Sequence, residues 1–194
     1  MKFKRLYQTL AMAAAVFAVQ PAYAQNMSFD SYVQLLMAKA RAQGVSEPTI
    51  ARMTAGLEPS SRVIELDQAQ PGSPTSSGYP PLSNYIERHV DQARIAPGRR
   101  EYADARGTLA AIEREYGVPG EILVAIWGHE TAYGRVRGGF DLSQALATLA
   151  WEGRRRDLFE NEFLALLQVA DKGYSRSELQ GSWAGAFGNP QFLP

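Results

Sequence analysis

The stretch that most limits how this chain can fold runs from Pro119 to about Tyr133, PGEILVAIWGHETAY. Pro119 sits where a helix tolerates proline, in the first turn, and Glu121 favours the same end electrostatically. It is the most apolar segment beyond the first 24 residues, and further helices are expected on both sides of it in the sequence. Phe29, Tyr32, Val33 and Leu36 keep helical spacing over Phe29 to Ala42, with Gly44 as a stop. Ser46 is placed to cap a second helix carrying Ile50, Met53 and Leu57 on one face, with Pro59 beyond it. A helix is expected from Ser83 to about Ala93, then a turn at Pro97-Gly98. Ala105, Leu109, Ile112 and Tyr116 mark an amphipathic helix that Gly117 ends. Two more follow, at about Leu142 to Trp151 and Leu158 to Ala170, the last closed by Gly173. Val63, Ile64 and Leu66 are expected to form a short extended piece, and residues 69–80, rich in Pro, Gly and Ser, a loop. The fold class expected is mainly α, without a sheet.

The N-terminus has its own logic. Lys2, Lys4 and Arg5 precede an apolar run from Leu10 to Val19, followed by Pro21 and Ala22-Tyr23-Ala24. A charged start, a short apolar run and a small-x-small site form an export signal, expected to be cut after Ala24. The run is too short to span a bilayer comfortably. Cleavage would remove three of 20 basic residues against 20 acidic ones, leaving 170 residues with a formal charge of −3. Nucleic acid is therefore a poor partner. With no cysteine in the chain, disulfides, thiolate metal sites and a lipidated cysteine are excluded. The expected product is periplasmic, without stable membrane insertion after cleavage, its domain occupying residues 25–194.

Within the apolar helix, Glu130 follows Leu123 by seven residues, Ile126 by four and Trp127 by three, on the apolar side. An ionised carboxylate there is costly unless paired or hydrated, and desolvation would raise its pKa to suit a general acid. The alternative is a structural role at the helix end, paired to Arg135 or Arg137. His129-Glu130 invites a zinc-protease reading, but position 133 is Tyr133 where the motif needs histidine. His129 is thus expected to be a helix-face residue and no metal is expected. Arg154-Arg155-Arg156 is either a solvated cluster at a helix end or a clamp for substrate. In the tail GSWAGAFGNPQFLP, Ser182, Asn189 and Gln191 offer hydrogen bonds while Trp183, Phe187 and Phe192 offer flat apolar surfaces. Sugars bind to that mixture, and tight turns pack with it.

Three blocks in order, GVPGEILVAIWGHETAYG, ALATLAWEGRRRDLF and GSWAGAFGNPQFLP, resemble the lytic murein transglycosylases of the B type in their soluble form. The resemblance runs from roughly Phe29 to Pro194. It implies a lysozyme-like, mainly α catalytic domain with a cleft, incomplete at the C-terminus. It implies non-hydrolytic cleavage of the β-1,4 bond between N-acetylmuramic acid and N-acetylglucosamine in peptidoglycan, leaving a 1,6-anhydromuramoyl end. The family's catalytic Glu falls on Glu130, and the serine that hydrogen-bonds it on Ser182. Its paired substrate arginines fall on Arg155 and Arg156, its Gln-Phe pair on Gln191 and Phe192, and an upstream cleft tyrosine on Tyr85. His129 stands where the family has an aliphatic residue, and Leu193 where it usually has Met.

No cofactor is implied up to Pro194; the calcium loop of some members would lie beyond it. Glycan strands of peptidoglycan are the implied partner, with cell-wall synthesis enzymes beside them. Further helices, cleft tyrosines and an asparagine follow in the family, so the far wall of the cleft is expected to be missing. The alternative expectation is a truncated, inactive relative that at most binds murein or a partner.

Overall fold

In a computed structural model, residues 27–70 and 81–194 are described. The signal sequence and most of the 69–80 segment lie outside them. The chain folds into helices α1 (Phe29–Ala42), α2 (Glu47–Thr54), α3 (Ser61–Gln68), α4 (Leu82–His89), α5 (Gln92–Asp104), α6 (Arg106–Tyr116) and α7 (Gly120–Thr131). After these come strand β1 (Phe140–Asp141), α8 (Leu142–Glu152), α9 (Arg156–Asp171) and strand β2 (Gln180–Gly181). The mainly α expectation holds. β1 and β2 form one short antiparallel pair, Phe140 opposite Gly181, which periodicity over two residues could not signal.

One core joins α1, α2, α3, α8 and α9. Tyr32, Leu36, Ile50, Met53, Val63, Leu146, Phe163 and Leu167 are fully buried in it. Helix α8 is buried on nearly every side, and α9 packs along it more extensively than any other pair of elements. At the α1–α9 contact Glu160 is buried, accepting from the Tyr32 hydroxyl at 3.2 Å and pairing with Lys39. Burial pushes the Tyr32 phenol above, and the Lys39 amine below, their ordinary values.

Two local expectations fail for identifiable reasons. Residues 63–66 are helical, not extended. Ser60 caps the turn by accepting from the Val63 amide at 3.3 Å. Val63 and Asp67, one turn apart, then share the buried face. Pro97-Gly98 does not form a turn. Both residues are buried inside α5, and the helix break falls earlier, between His89 and Gln92. Asp91 caps the new start by accepting from the Arg94 amide at 2.8 Å. The space left by Gly98 is filled by Tyr133: a Cβ there would lie 2.3 Å from the Tyr133 hydroxyl. Packing has overridden an intrinsic penalty of about 3 kcal/mol for proline in a helix interior.

Helices α5, α6 and α7 pack on one another beside this core. They bury much less: Leu109 and Val124 are their only buried large hydrophobics. Tyr116, Ile122 and Ile126 are exposed.

Candidate active site

The site is built on the end of α7. The helix stops because Ala132 and Tyr133 are both left-handed, with φ of 48° and 63°. Two consecutive non-glycine residues in that region are uncommon and need support from their surroundings. Tyr133 supplies it by folding back under its own helix. Its ring lies against Gly128, where a Cβ would approach the hydroxyl to 2.4 Å, and its hydroxyl donates to the Arg94 carbonyl at 2.8 Å. Trp127 meets the same ring edge-on at 5.6 Å. Thr131 is buried; its hydroxyl bonds to the Asn189 carbonyl at 3.0 Å and accepts from the Gly134 amide at 3.0 Å. The reversal therefore fixes the last turn of α7, with Glu130 on it, to the C-terminal tail.

Glu130 opens into a groove of about 760 Å³ between α7 and the α4–α5 segment. Ile95, Ile122, Val124 and Ile126 supply its apolar wall, while Tyr85, His89, His129 and Arg94 supply polar groups. The sequence places Glu130 on the apolar side of its helix, and Ile126, one turn before it, is 51% exposed in the same groove. The expected desolvation is not found. Glu130 is exposed, because the face that carries it is the uncovered one. Nor is it paired. The Arg135 and Arg137 Nε atoms each donate to backbone carbonyls, of Ala132 and Gly134, at 3.0 Å. No ion pair or hydrogen bond to Glu130 forms among the described residues.

Of the other candidates, only Tyr85 lines this groove. Its hydroxyl is 3.3 Å from His129 Nε2 and its ring stacks on His89 at 4.0 Å. The sequence singled out Tyr85 and read His129 as a helix-face residue, as it is, but gave no role to His89. Two histidines on separate helices leave no spacing signal.

Ser182, Gln191 and Phe192 form a second group, in the tail. The Ser182 amide donates to the Ala186 carbonyl at 2.7 Å, and Ser182 Oγ accepts from the Ala186 amide at 3.0 Å. Ser182 thus closes a Gly-rich turn and is not bonded to Glu130. The turn nonetheless abuts the segment after α7, since a Cβ on Gly138 would lie 2.2 Å from the Gly181 carbonyl oxygen. Gln191 Nε2 donates to the Gly188 carbonyl at 2.8 Å, and Phe192 is exposed.

Arg155 and Arg156 stand apart from the groove. Arg154 and Arg155 converge on Asp67, 2.5 and 2.6 Å from its Oδ1. Arg155 also lies over the Phe159 ring at 4.7 Å, and Arg156 over Tyr32 at 5.3 Å. Asp67 is only 1% exposed. Burial pushes its carboxyl up, but the hydrogen bonds from the two arginines outweigh that and hold it below its ordinary value. The run is neither a wholly solvated cluster nor a free clamp; two of its members neutralise a buried acid. Among the described residues, no group of three or more His, Cys, Asp or Glu is arranged to hold a metal ion.

The fold is mainly helical and lysozyme-like, with a carboxylate at the end of an apolar helix beside an open groove that has a tyrosine in its wall. The profile of the transglycosylase SLT domain matches residues 28–194, and the chain belongs to that family. It is 35% identical over 130 residues to the membrane-bound lytic murein transglycosylase B of Escherichia coli (strain K12), covering 63% of this chain and 36% of that protein. It superimposes on SltB3 of Pseudomonas aeruginosa, solved in complex with NAG-NAM-pentapeptide, with a TM-score of 0.77 and 34% identity over 87% of this chain and 44% of that one. The Escherichia coli lytic transglycosylase Slt35, solved with bulgecin A, gives a TM-score of 0.71 and 29% identity over 84% of this chain and 51% of that one. The chain therefore spans between about a third and a half of the length of these relatives.

Proposed function

We propose that the chain carries the acid/base machinery of a peptidoglycan lytic transglycosylase. The observation that carries this is the placement of Glu130, unpaired, in the groove it shares with Tyr85. Glycoside hydrolases ordinarily need two carboxyl groups, one as acid and one as nucleophile or base. One suffices when the attacking group is the substrate's own C6 hydroxyl. Glu130 protonates the glycosidic oxygen between N-acetylmuramic acid and N-acetylglucosamine, and the leaving sugar departs. As carboxylate it then takes the C6-hydroxyl proton while that oxygen closes on C1. The product is a 1,6-anhydromuramoyl end, and water is not consumed. No metal or cofactor enters these steps.

In this mechanism Ser182 turns its free hydroxyl proton toward the carboxylate. Gln191 and Phe192, outside the groove, meet the glycan strand where it runs over the tail, and Arg155 and Arg156 contact substrate only beyond the groove. The N-terminal signal directs the chain to the periplasm and is removed after Ala24, so the mature N-terminus is Gln25. N-terminal sequencing of the exported protein tests that cleavage. The relative in Escherichia coli is membrane-bound by name; among the described residues here, no helix is long and apolar enough to cross a membrane.

Digestion of purified sacculi, followed by mass spectrometry, tests the activity. Fragments lighter by one water than hydrolytic products are expected, and Glu130→Gln is expected to abolish them. Anhydro fragments released by Glu130→Gln would remove Glu130 from the mechanism. The openness of the groove favours a second reading, in which the chain binds glycan without cleaving it, because preorganised groups on all sides of the bond supply most of the rate. Saturable binding of a glycan strand without any anhydro product would select that reading.

A further inference from the structure

The chain has two histidines, and they meet in the groove, on α4 and α7, with ring centroids 5.1 Å apart. Tyr85 and His89 lie one turn apart on α4 and stack at 4.0 Å with an interplanar angle of 19°. His89 Nδ1 is 2.6 Å from the Tyr85 carbonyl, which can only accept, so Nδ1 carries the proton. This bond fixes the imidazole on its own helix and makes the two rings one unit. The Tyr85 hydroxyl then reaches His129 Nε2 at 3.3 Å across 44 residues of sequence.

Among the described residues, little else holds α4. None of its residues is buried, and Leu82 and Ile86 are exposed. No other helix packs broadly against it among the described residues, and its C-terminal carbonyl, of His89, accepts from Arg94 Nη1 at 2.5 Å. The place of Tyr85 relative to Glu130 is therefore set largely by one imidazole, on the residue that precedes Glu130.

We propose that His129 is a positioning residue. It latches α4 onto α7 through the Tyr85 hydroxyl and so sets the Tyr85 ring beside Glu130, as a wall for an N-acetylhexosamine unit of the glycan. The part concerning sugar rests on the function proposed above; the latch does not. The His129 Nε2 either accepts from the Tyr85 O–H or donates to the phenol oxygen, depending on the tautomer. An aliphatic side chain at 129 offers neither. A carboxylate there would place a second negative charge next to Glu130.

Hydrogen exchange of the free protein tests the latch without substrate. His129→Val and Tyr85→Phe are each expected to speed exchange across residues 82–90 by about fivefold, the loss of one hydrogen bond. Exchange in α8 should not move. His129→Gln keeps an acceptor and a donor and should restore most of the protection. The double variant should be no worse than either single one, because both remove the same contact. Titration with a GlcNAc oligomer should show affinity weakened about fivefold in His129→Val and recovered in His129→Gln. Where cleavage is measured, KM should rise by more than kcat falls. Unchanged exchange in His129→Val, or single effects that multiply in the double variant, would overturn the latch. Glycan affinity untouched while exchange rises would overturn its link to sugar. Loss of the Glu130 assignment would leave the exchange result standing, so the two failures are distinguishable.

Discussion

Asp67 is the residue on which the arginine run depends. It is almost wholly buried between Arg154 and Arg155, and it also anchors α3 to the α8–α9 junction. Removing the charge leaves two guanidinium groups facing a neutral amide. Breaking a buried pair by removing one partner costs about 3–5 kcal/mol, and less where the partners reach solvent, as both arginines do here. Asp67→Asn is therefore expected to lower stability by about 2 kcal/mol at neutral pH in chemical denaturation. The pH dependence has a definite sign. The folded carboxyl lies below its unfolded value, so its contribution is full above the ordinary aspartate pKa of about 3.9 and fades as pH falls through the folded one. The gap between natural protein and variant should thus be constant near neutrality and close in acid below about pH 4. A gap that persists unchanged to pH 2 would place the stabilisation elsewhere. Sequence alone made Glu130 conspicuous, because a carboxylate interrupts an apolar face. It could not pair Asp67 with arginines 87 and 88 residues away, since no local pattern records that contact. Ser182 stood out through the tail motif, but its part in closing a turn is set by backbone geometry.

At the scale of elements, the apolar helix was legible because many residues agree: Pro119 at its start, Glu121 in the first turn, an apolar body and a glycine before the reversal. What the sequence hid was how it ends. The end depends on Tyr133 lying where Gly98 and Gly128 have no side chain, a contact between three positions that local propensity does not register. The same contact explains why α5 runs through Pro97-Gly98. In α3, β-branched Val63 and Ile64 pointed to an extended piece, whereas burial of Val63 and Asp67 on one face decided for helix. Gly128→Ala puts a methyl group 2.5 Å from the Tyr133 ring carbon that bears the hydroxyl, while that hydroxyl is held by Arg94. The ring must move, and the left-handed pair that ends α7 loses its support. A cost of about 1–3 kcal/mol is expected, as for other overpacked sites. In a Tyr133→Ala background the same substitution should cost little, because the obstruction is gone. Additive costs in that double-mutant cycle would contradict the account.

The whole molecule divides into a dense part and an open part. Most of the buried hydrophobic side chains belong to one cluster on α1, α2, α3, α8 and α9, whereas α4 to α7 carry the groove and leave Leu82, Tyr116, Ile122 and Ile126 exposed. Apolar positions at helical spacing identified both parts as helical, but spacing does not say which faces find a partner. The Leu109 face of α6 shows this: Leu109 is buried, while Tyr116, two turns on, is 67% exposed. Amide protection follows burial, since segments with few buried apolar contacts open locally at low cost. Exchange should therefore be slowest in α8 and α9 and fastest in α4, with α5 to α7 between them. The same uncovered surface should bind a hydrophobic dye, and it should drive association as concentration rises. Light scattering coupled to size exclusion tests this directly. Substituting Ile122 and Ile126 by Ser, on the groove side of α7, should shift the distribution toward monomer and lower dye binding. Both residues are about half exposed already, so the folded core loses little by the change. A chain that stays monodisperse and dye-silent at every concentration would mean that the groove closes in solution. Its Glu130 would then be less accessible to a glycan strand than the open groove implies.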